Sequence, residues 1–134
     1  MFFSQTTGNV ISLFDYNTEQ IQSFQVPTPA AGPLGMMVAS DGALWFTEFF
    51  AGKLGRLNAT DGTIEEFALP VSLADPTVMR AETEGRYIWF TCLATNAIGR
   101  FDIIAKQATA FPNTSPASAP TEDTVDDNGN ICEY

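Results

Sequence analysis

The chain has 134 residues, 45% of them hydrophobic, which is one domain's length and enough to bury a core. Sixteen acidic residues against six basic ones give a formal net charge of -10, which argues against nucleic acid and anionic membrane as partners, since both demand positive charge. No run of about 18 apolar residues occurs, so no helix of this sequence is fit to span a bilayer, and Met1 to Phe14 lacks the basic start and unbroken apolar stretch of a signal peptide.

Taken in chain order, the elements recur every 43 to 44 residues. Met1-Phe2-Phe3-Ser4 returns as Leu44-Trp45-Phe46-Thr47 and again as Ile88-Trp89-Phe90-Thr91. Val10-Ile11-Ser12-Leu13 is matched by Lys53-Leu54-Gly55-Arg56 and Ala97-Ile98-Gly99-Arg100. Phe24-x-x-Pro27 is matched by Phe67-x-x-Pro70 and by the shortened Phe111-Pro112, and Pro33 by Pro76 and Pro120. Self-similarity at this period signals a repeat architecture.

The second repeat divides most clearly. Strands are predicted over Leu34–Ala39, Leu44–Glu48, Lys53–Asn58 and Thr63–Ala68, separated by turns at Asp41-Gly42, Ala51-Gly52 and Thr60-Asp61-Gly62. The runs are rich in Phe, Trp, Ile, Leu, Val and Thr, and Asp-Gly between apolar runs marks a tight hairpin. No window shows sustained helical spacing, so no helical stretch is expected. Four short strands per repeat is the pattern of a β-propeller blade, whose two faces are covered by neighbouring blades. The fold class is therefore all-β, built of blades of four antiparallel strands, as a partial or half propeller.

The chain reads as one propeller segment, with repeats at approximately 1–43, 44–87 and 88–130 and residues 131–134 starting a fourth. Its phase puts Met1–Gln5 on the second strand of a blade, Thr121–Val125 on a first strand and Ile131–Tyr134 on the start of another second strand. Three blades are fewer than the usual four to eight. The expected partners are therefore a second copy, two chains closing a six-bladed ring, or further blades of a longer chain; a small-molecule ligand is compatible with either.

Smaller motifs resolve into structure. Cys92 aligns with Glu48 and Cys132 with Trp45, which sets them on successive blades, too distant for a disulfide whose Cα atoms approach to about 6 Å. Two buried thiols are expected. Asn113 to Pro120 reads as an inter-blade loop. Asp126-Asp127-Asn128-Gly129-Asn130 lacks the first and last ligands of a calcium loop and reads as a turn. Gly55-Arg56 and Gly99-Arg100 read as structural, the Gly admitting the next blade and the Arg bonding a nearby turn. Asn58-Ala59-Thr60 and Asn113-Thr114-Ser115 are glycosylation triplets relevant only to a secreted chain.

Asp41-Gly42-Ala43-Leu44-Trp45-Phe46-Thr47-Glu48, then Gly52-Lys53-Leu54-Gly55-Arg56-Leu57, then Ile64-Glu65-Glu66-Phe67-Ala68-Leu69-Pro70 resemble the blade consensus of the virginiamycin B (streptogramin B) lyase family. The resemblance covers residues 1 to about 112 well and the rest weakly. It implies a member of a group of seven-bladed propellers that inactivate streptogramin B antibiotics by opening their ester ring through elimination, using a His base and Mg2+. In the family the His follows a Pro at the entrance to an innermost strand. Here those positions hold Leu34, Thr77 and Thr121, and the chain has no histidine.

Proton removal beside a carbonyl needs a base tuned near neutrality, usually His. The lysines, Lys53 and Lys106, fall on or just before outer strands, away from the central face. No catalytic residue is assigned and no cofactor is expected from the residues, although the resemblance implies Mg2+. Asp75, before Pro76, and Glu48, which closes the Trp-Phe-Thr strand, are the metal candidates the resemblance leaves. The plainer reading is that Asp75 starts a turn and Glu48 ends a strand in solvent. The expected function is a lyase-like propeller segment acting as a non-catalytic binding or scaffold module. The alternative is a streptogramin B lyase whose His lies in blades outside this chain.

Overall fold

The computed structural model describes residues 1–115, 120, 123–125 and 131–133. Its elements form four separate antiparallel sheets. The first sheet contains β1 (Phe2–Gln5), β2 (Val10–Asp15) and β3 (Gln20–Gln25), in that order. The second contains β4 (Pro33–Val38), β5 (Leu44–Glu48), β6 (Lys53–Asn58) and β7 (Thr63–Ala68). The third contains β8 (Pro76–Thr83), β9 (Tyr87–Cys92), β10 (Ala97–Asp102) and β11 (Gln107–Pro112). A last hairpin pairs β12 (Asp123–Val125) with β13 (Ile131–Glu133). The sheets are antiparallel and of the blade type that the fold class predicts, the first with three strands and the next two with four.

The core lies between blades. Leu44 and Phe46 of β5 pack with Ile11, Phe24 and Val26 toward the first blade. Trp45, between them in sequence, packs with Met79, Ile88, Phe90 and Phe101 toward the third. Alternate residues thus serve opposite faces, both covered, and all five residues of β5 are buried. The Trp45, Phe67 and Phe101 rings form a cluster with centroids 5.1 to 5.5 Å apart, within the range of favourable aromatic packing.

Hydroxyls of the repeated motif, Ser4 and Thr47, stitch blade to blade. Thr47 Oγ1 donates to the Thr77 carbonyl of the next blade at 2.7 Å and accepts from the Gly35 amide at 2.9 Å. Ser4 Oγ, at the same place in the first blade, donates to the Leu34 carbonyl at 3.1 Å. The innermost strands therefore hang on the second strand of the preceding blade.

Three expectations change. The linker between the second and third blades contains one 3-10 turn, Val71–Leu73, where no helical stretch was expected; it follows Pro70 and buries Leu73. Gly55 and Gly99 do not admit the next blade. They lie opposite Phe46 and Phe90 within their own sheets, and a Cβ at either would collide with the facing ring. The glycine that admits the next blade is Gly35, whose Cβ would strike the backbone of Thr77 and Val78. Arg56 does bond a turn acid, Asp41, at 2.8 Å, whereas Arg100 stacks over the Tyr87, Trp89 and Phe111 rings. Cys92 is a buried free thiol; the Cys132 side chain, Tyr134 and the 126–130 turn lie outside the described residues.

Candidate functional site

The candidate residues gather at the end of the blades where the innermost strands begin. Pro33 opens β4 opposite Glu48, and Pro76 opens β8 opposite Cys92. Leu34 is 41% exposed and offers no titratable atom. Thr77 is 8% exposed, and its hydroxyl is held by the Thr91 hydroxyl at 2.7 Å and the Thr91 carbonyl at 3.2 Å. Neither can act as a base. Thr121 lies outside the described residues.

Asp75 precedes the entrance with φ +54°, a left-handed conformation that Asp tolerates, and its carbonyl accepts the Leu93 amide at 3.0 Å. Its role as a turn residue is thereby explained. Its charge also reaches Cys92: burial first, and then Asp75, push that thiol up to about 12. Cys92 is therefore no nucleophile at neutral pH.

Glu48 is not at a solvent-facing strand end. It is fully buried, and neither carboxylate oxygen has a hydrogen-bond partner. Burial, and then repulsion from Glu66, push its pKa up to about 7, with Lys53 opposing. Lys53 faces Glu48 across the β5–β6 pairing, but its ammonium is bound elsewhere, to Glu66 Oε2 at 3.1 Å and Thr28 Oγ1 at 2.6 Å. Glu66 in turn accepts the Thr28 amide at 2.9 Å and hydroxyl at 2.8 Å. Burial works against the Glu66 charge, but these donors outweigh it and hold that carboxyl below the usual range. The sequence set Lys53 on an outer strand, away from the central face; the β5–β6 pairing adds that it lies opposite Glu48. Lys106 sits at the opposite blade end, over Phe67.

Glu48 interacts with Glu66 and Lys53, and Asp75 with Cys92 of the next blade. Among the described residues no three His, Cys, Asp or Glu side chains gather to hold a metal ion. Magnesium prefers several hard oxygens and retained water. A single buried carboxylate with an ammonium beside its neighbour is a poor match, so the residues described here do not form a Mg2+ site on their own.

The turns at this end show a second difference between blades. Asn9, Gly52 and Asn96 each precede the third strand of their blade, at φ +57°, +61° and +49°. The carbonyl of each accepts the amide seventeen residues on, at Val26, Leu69 and Asn113. Asn9 also clamps the linker with its side chain. Its Nδ2 donates to Val26 and Thr28 carbonyls, and its Oδ1 accepts the Ala31 and Gly32 amides. Asn96 Nδ2 donates likewise to the Ser115 carbonyl at 2.9 Å. Gly52 has nothing to offer in its place.

Successive antiparallel sheets, two of them four-stranded and entered at a Pro, stitched by the motif hydroxyls of Ser4 and Thr47, define this protein as a segment of a β-propeller. The chain matches the family model described as Virginiamycin B lyase family over residues 1–133, and it belongs to that family. It is 45% identical to the virginiamycin B lyase of Nocardia farcinica over 71 residues, 53% of this chain and 24% of that protein. It is 49% identical to the same enzyme of Saccharopolyspora erythraea over 40 residues, 30% of this chain and 13% of that one. Virginiamycin B lyase from Staphylococcus aureus superposes with a TM-score of 0.91 at 28% identity, over 99% of this chain and 44% of that one. A catalytically inactive histidine-to-alanine form of that enzyme, solved with quinupristin, gives 0.86 at 26% identity, covering 99% and 50%. The chain therefore spans half or less of the relatives it matches.

Proposed function

We propose that this chain is a binding segment of a lyase-family propeller that carries no general base of its own. One observation carries the reading: the entrance positions after Pro33 and Pro76 hold Leu34 and a fully bonded Thr77, in a sequence without histidine. The remaining groups tunable to neutrality are enclosed or bound. Glu48 has no exposure to solvent, and Lys53 is tied to Glu66. Incubating the chain with a streptogramin B, with and without Mg2+, is expected to leave the ester ring closed. Mg2+-dependent ring opening by the purified chain overturns the reading.

A second reading is favoured by the coverage of 44 to 50% of the solved lyase chains. In it the segment is part of a streptogramin B lyase whose base stands on other blades. The ring is then completed by those blades or by a second copy. Two copies would seat β12 beside β1 of the partner, but β13 already pairs that edge of β12, so a closed dimer requires β13 to give way. Light scattering on the eluting chain decides between them. A stable mass of twice 14.5 kDa supports self-closure, and a monomer supports blades from elsewhere.

A further inference from the structure

The linker between the second and third blades borders a cavity of about 260 Å³ lined by Phe50, Gly52, Leu69, Val71, Leu73 and Asp75, among others. It lies where the other two blades place an asparagine side chain. A Cβ built on Gly52 would meet no atom within 4 Å, so the space that Asn9 and Asn96 fill is open here. The groups that Asn9 engages have counterparts at the same spacing: its acceptors Val26 and Thr28 correspond to Leu69 and Val71, and its donors Ala31 and Gly32 to Ala74 and Asp75. The 3-10 turn directs the Ala74 amide at the Val71 carbonyl, but among the described residues no hydrogen bond engages the Asp75 amide. The rest of the rim is apolar, with Phe50 70% and Val71 92% exposed.

We infer that this cavity binds an apolar ligand through a carboxamide group, which takes the place of the missing asparagine amide. The ligand's carbonyl oxygen accepts from the Asp75 amide. Its N–H donates toward the Leu69 carbonyl, and its hydrocarbon packs on Phe50, Val71 and Leu73. The volume lies below the 300 to 1,000 Å³ of drug-sized pockets, so the site takes a small amide or one amide-bearing arm of a larger molecule. Asp75 is the one charged side chain on the wall, which selects against a carboxylate in the same position. The inference rests on reading the chain as a binding segment and names the ligand class for this corner of it.

The probe is 3-phenylpropionamide, titrated into the 15N-labelled 134-residue chain and followed by amide chemical shifts. A Kd on the order of 1 mM is expected for a ligand of this size, with the largest shift at Asp75. The isosteric 3-phenylpropionate is expected to bind at least tenfold more weakly. Gly52→Asn keeps a left-handed residue that Asn tolerates and supplies the carboxamide internally, so it is expected to abolish the shift at Asp75 and to raise the melting temperature without ligand. Val71→Ser alters only an exposed side chain and is expected to weaken binding several-fold, which keeps the test decisive if the first variant does not fold. Unchanged amide binding in Gly52→Asn, equal binding of amide and acid, or no shifts at 10 mM probe each overturns the site. None of these outcomes alters the ring-opening assay, so the site can fail while the non-catalytic reading stands.

Discussion

Glu48→Gln tests the burial of a charge directly. In the folded chain the Glu48 pKa is raised from 4.5 to about 7, first by burial and then by Glu66. The sign follows from linkage. Below the ordinary value the carboxyl is neutral in both folded and unfolded chains and adds no cost of ionisation. Between 4.5 and 7 the unfolded chain releases a proton that the folded chain keeps, so stability falls as pH rises. Above 7 both are ionised and the loss is complete. The gap corresponds to about 3 kcal/mol, a large share of a domain's total stability and roughly 10 °C in melting temperature.

Gln has nearly the same shape and does not titrate. Because its amide does not titrate, its own contribution to stability is the same at every pH. The informative quantity is therefore the difference between variant and parent as a function of pH. Urea unfolding followed by circular dichroism at pH 4.5, 6, 7 and 8 is expected to show Gln gaining about 3 kcal/mol on Glu across the range. Titrations of groups that do not interact with Glu48 cancel in the difference. A difference that stays flat from pH 4.5 to 8 refutes the argument, and would mean that Glu48 finds a donor or solvent in solution.

Thr47→Val removes the donor to the Thr77 carbonyl and the acceptor for the Gly35 amide while keeping the side chain's shape; a loss of about 1 to 3 kcal/mol in urea unfolding is expected. Gly55→Ala drives a methyl group into the Phe46 ring, with an expected loss of about 1 to 3 kcal/mol, and Phe46→Leu in the same chain should recover part of it, as a double-mutant cycle would show. Asp102 is held well below the ordinary 3.8, first by Arg86 and then by the Ala105 amide; carboxylate NMR should find it ionised in acid where a free aspartate protonates, and Arg86→Ala should return it toward the ordinary value.

The blades were legible because their determinants are local. Three of the four strands of the second blade fall on the predicted residues, and β4 begins one residue early, at Pro33. Asp41-Gly42 and Thr60-Asp61-Gly62 fix those boundaries through turn geometry, and apolar runs fix the strands between them. The family resemblance rests on the same local patterns. Of the site, the sequence showed the missing histidine and named Glu48 and Asp75, but not the burial of Glu48. The raised pKa of Glu48 depends on its burial and on Glu66, two strands away, which Thr28 holds from the preceding linker; no spacing rule joins them. The role of Gly55 was misread for a related reason, because the ring that covers it comes from the adjacent strand and not from the next blade. A cross-strand register would have revealed it, since Phe46 and Gly55 are direct partners.

Three blades give each position its own internal comparison, and that makes departures informative. At the end of the second strand the blades carry Gln5, Glu48 and Cys92; before the third strand they carry Asn9, Gly52 and Asn96. Gln5 bonds Ser12 and Cys92 sits neutral in apolar surroundings, so each satisfies its place. Glu48 does not, because its oxygens are buried without partners. Asn9 and Asn96 hold their linkers; Gly52 leaves its linker unclamped and opens a cavity. Both departures therefore cost stability, and both fall at one corner, on the two sides of the turn between β5 and β6. Packing alone would favour the residues of the other blades at these positions. Local conflicts with the fold concentrate at sites that do something besides folding, which points to this corner of the second blade rather than to the blade entrances that the family resemblance first suggests.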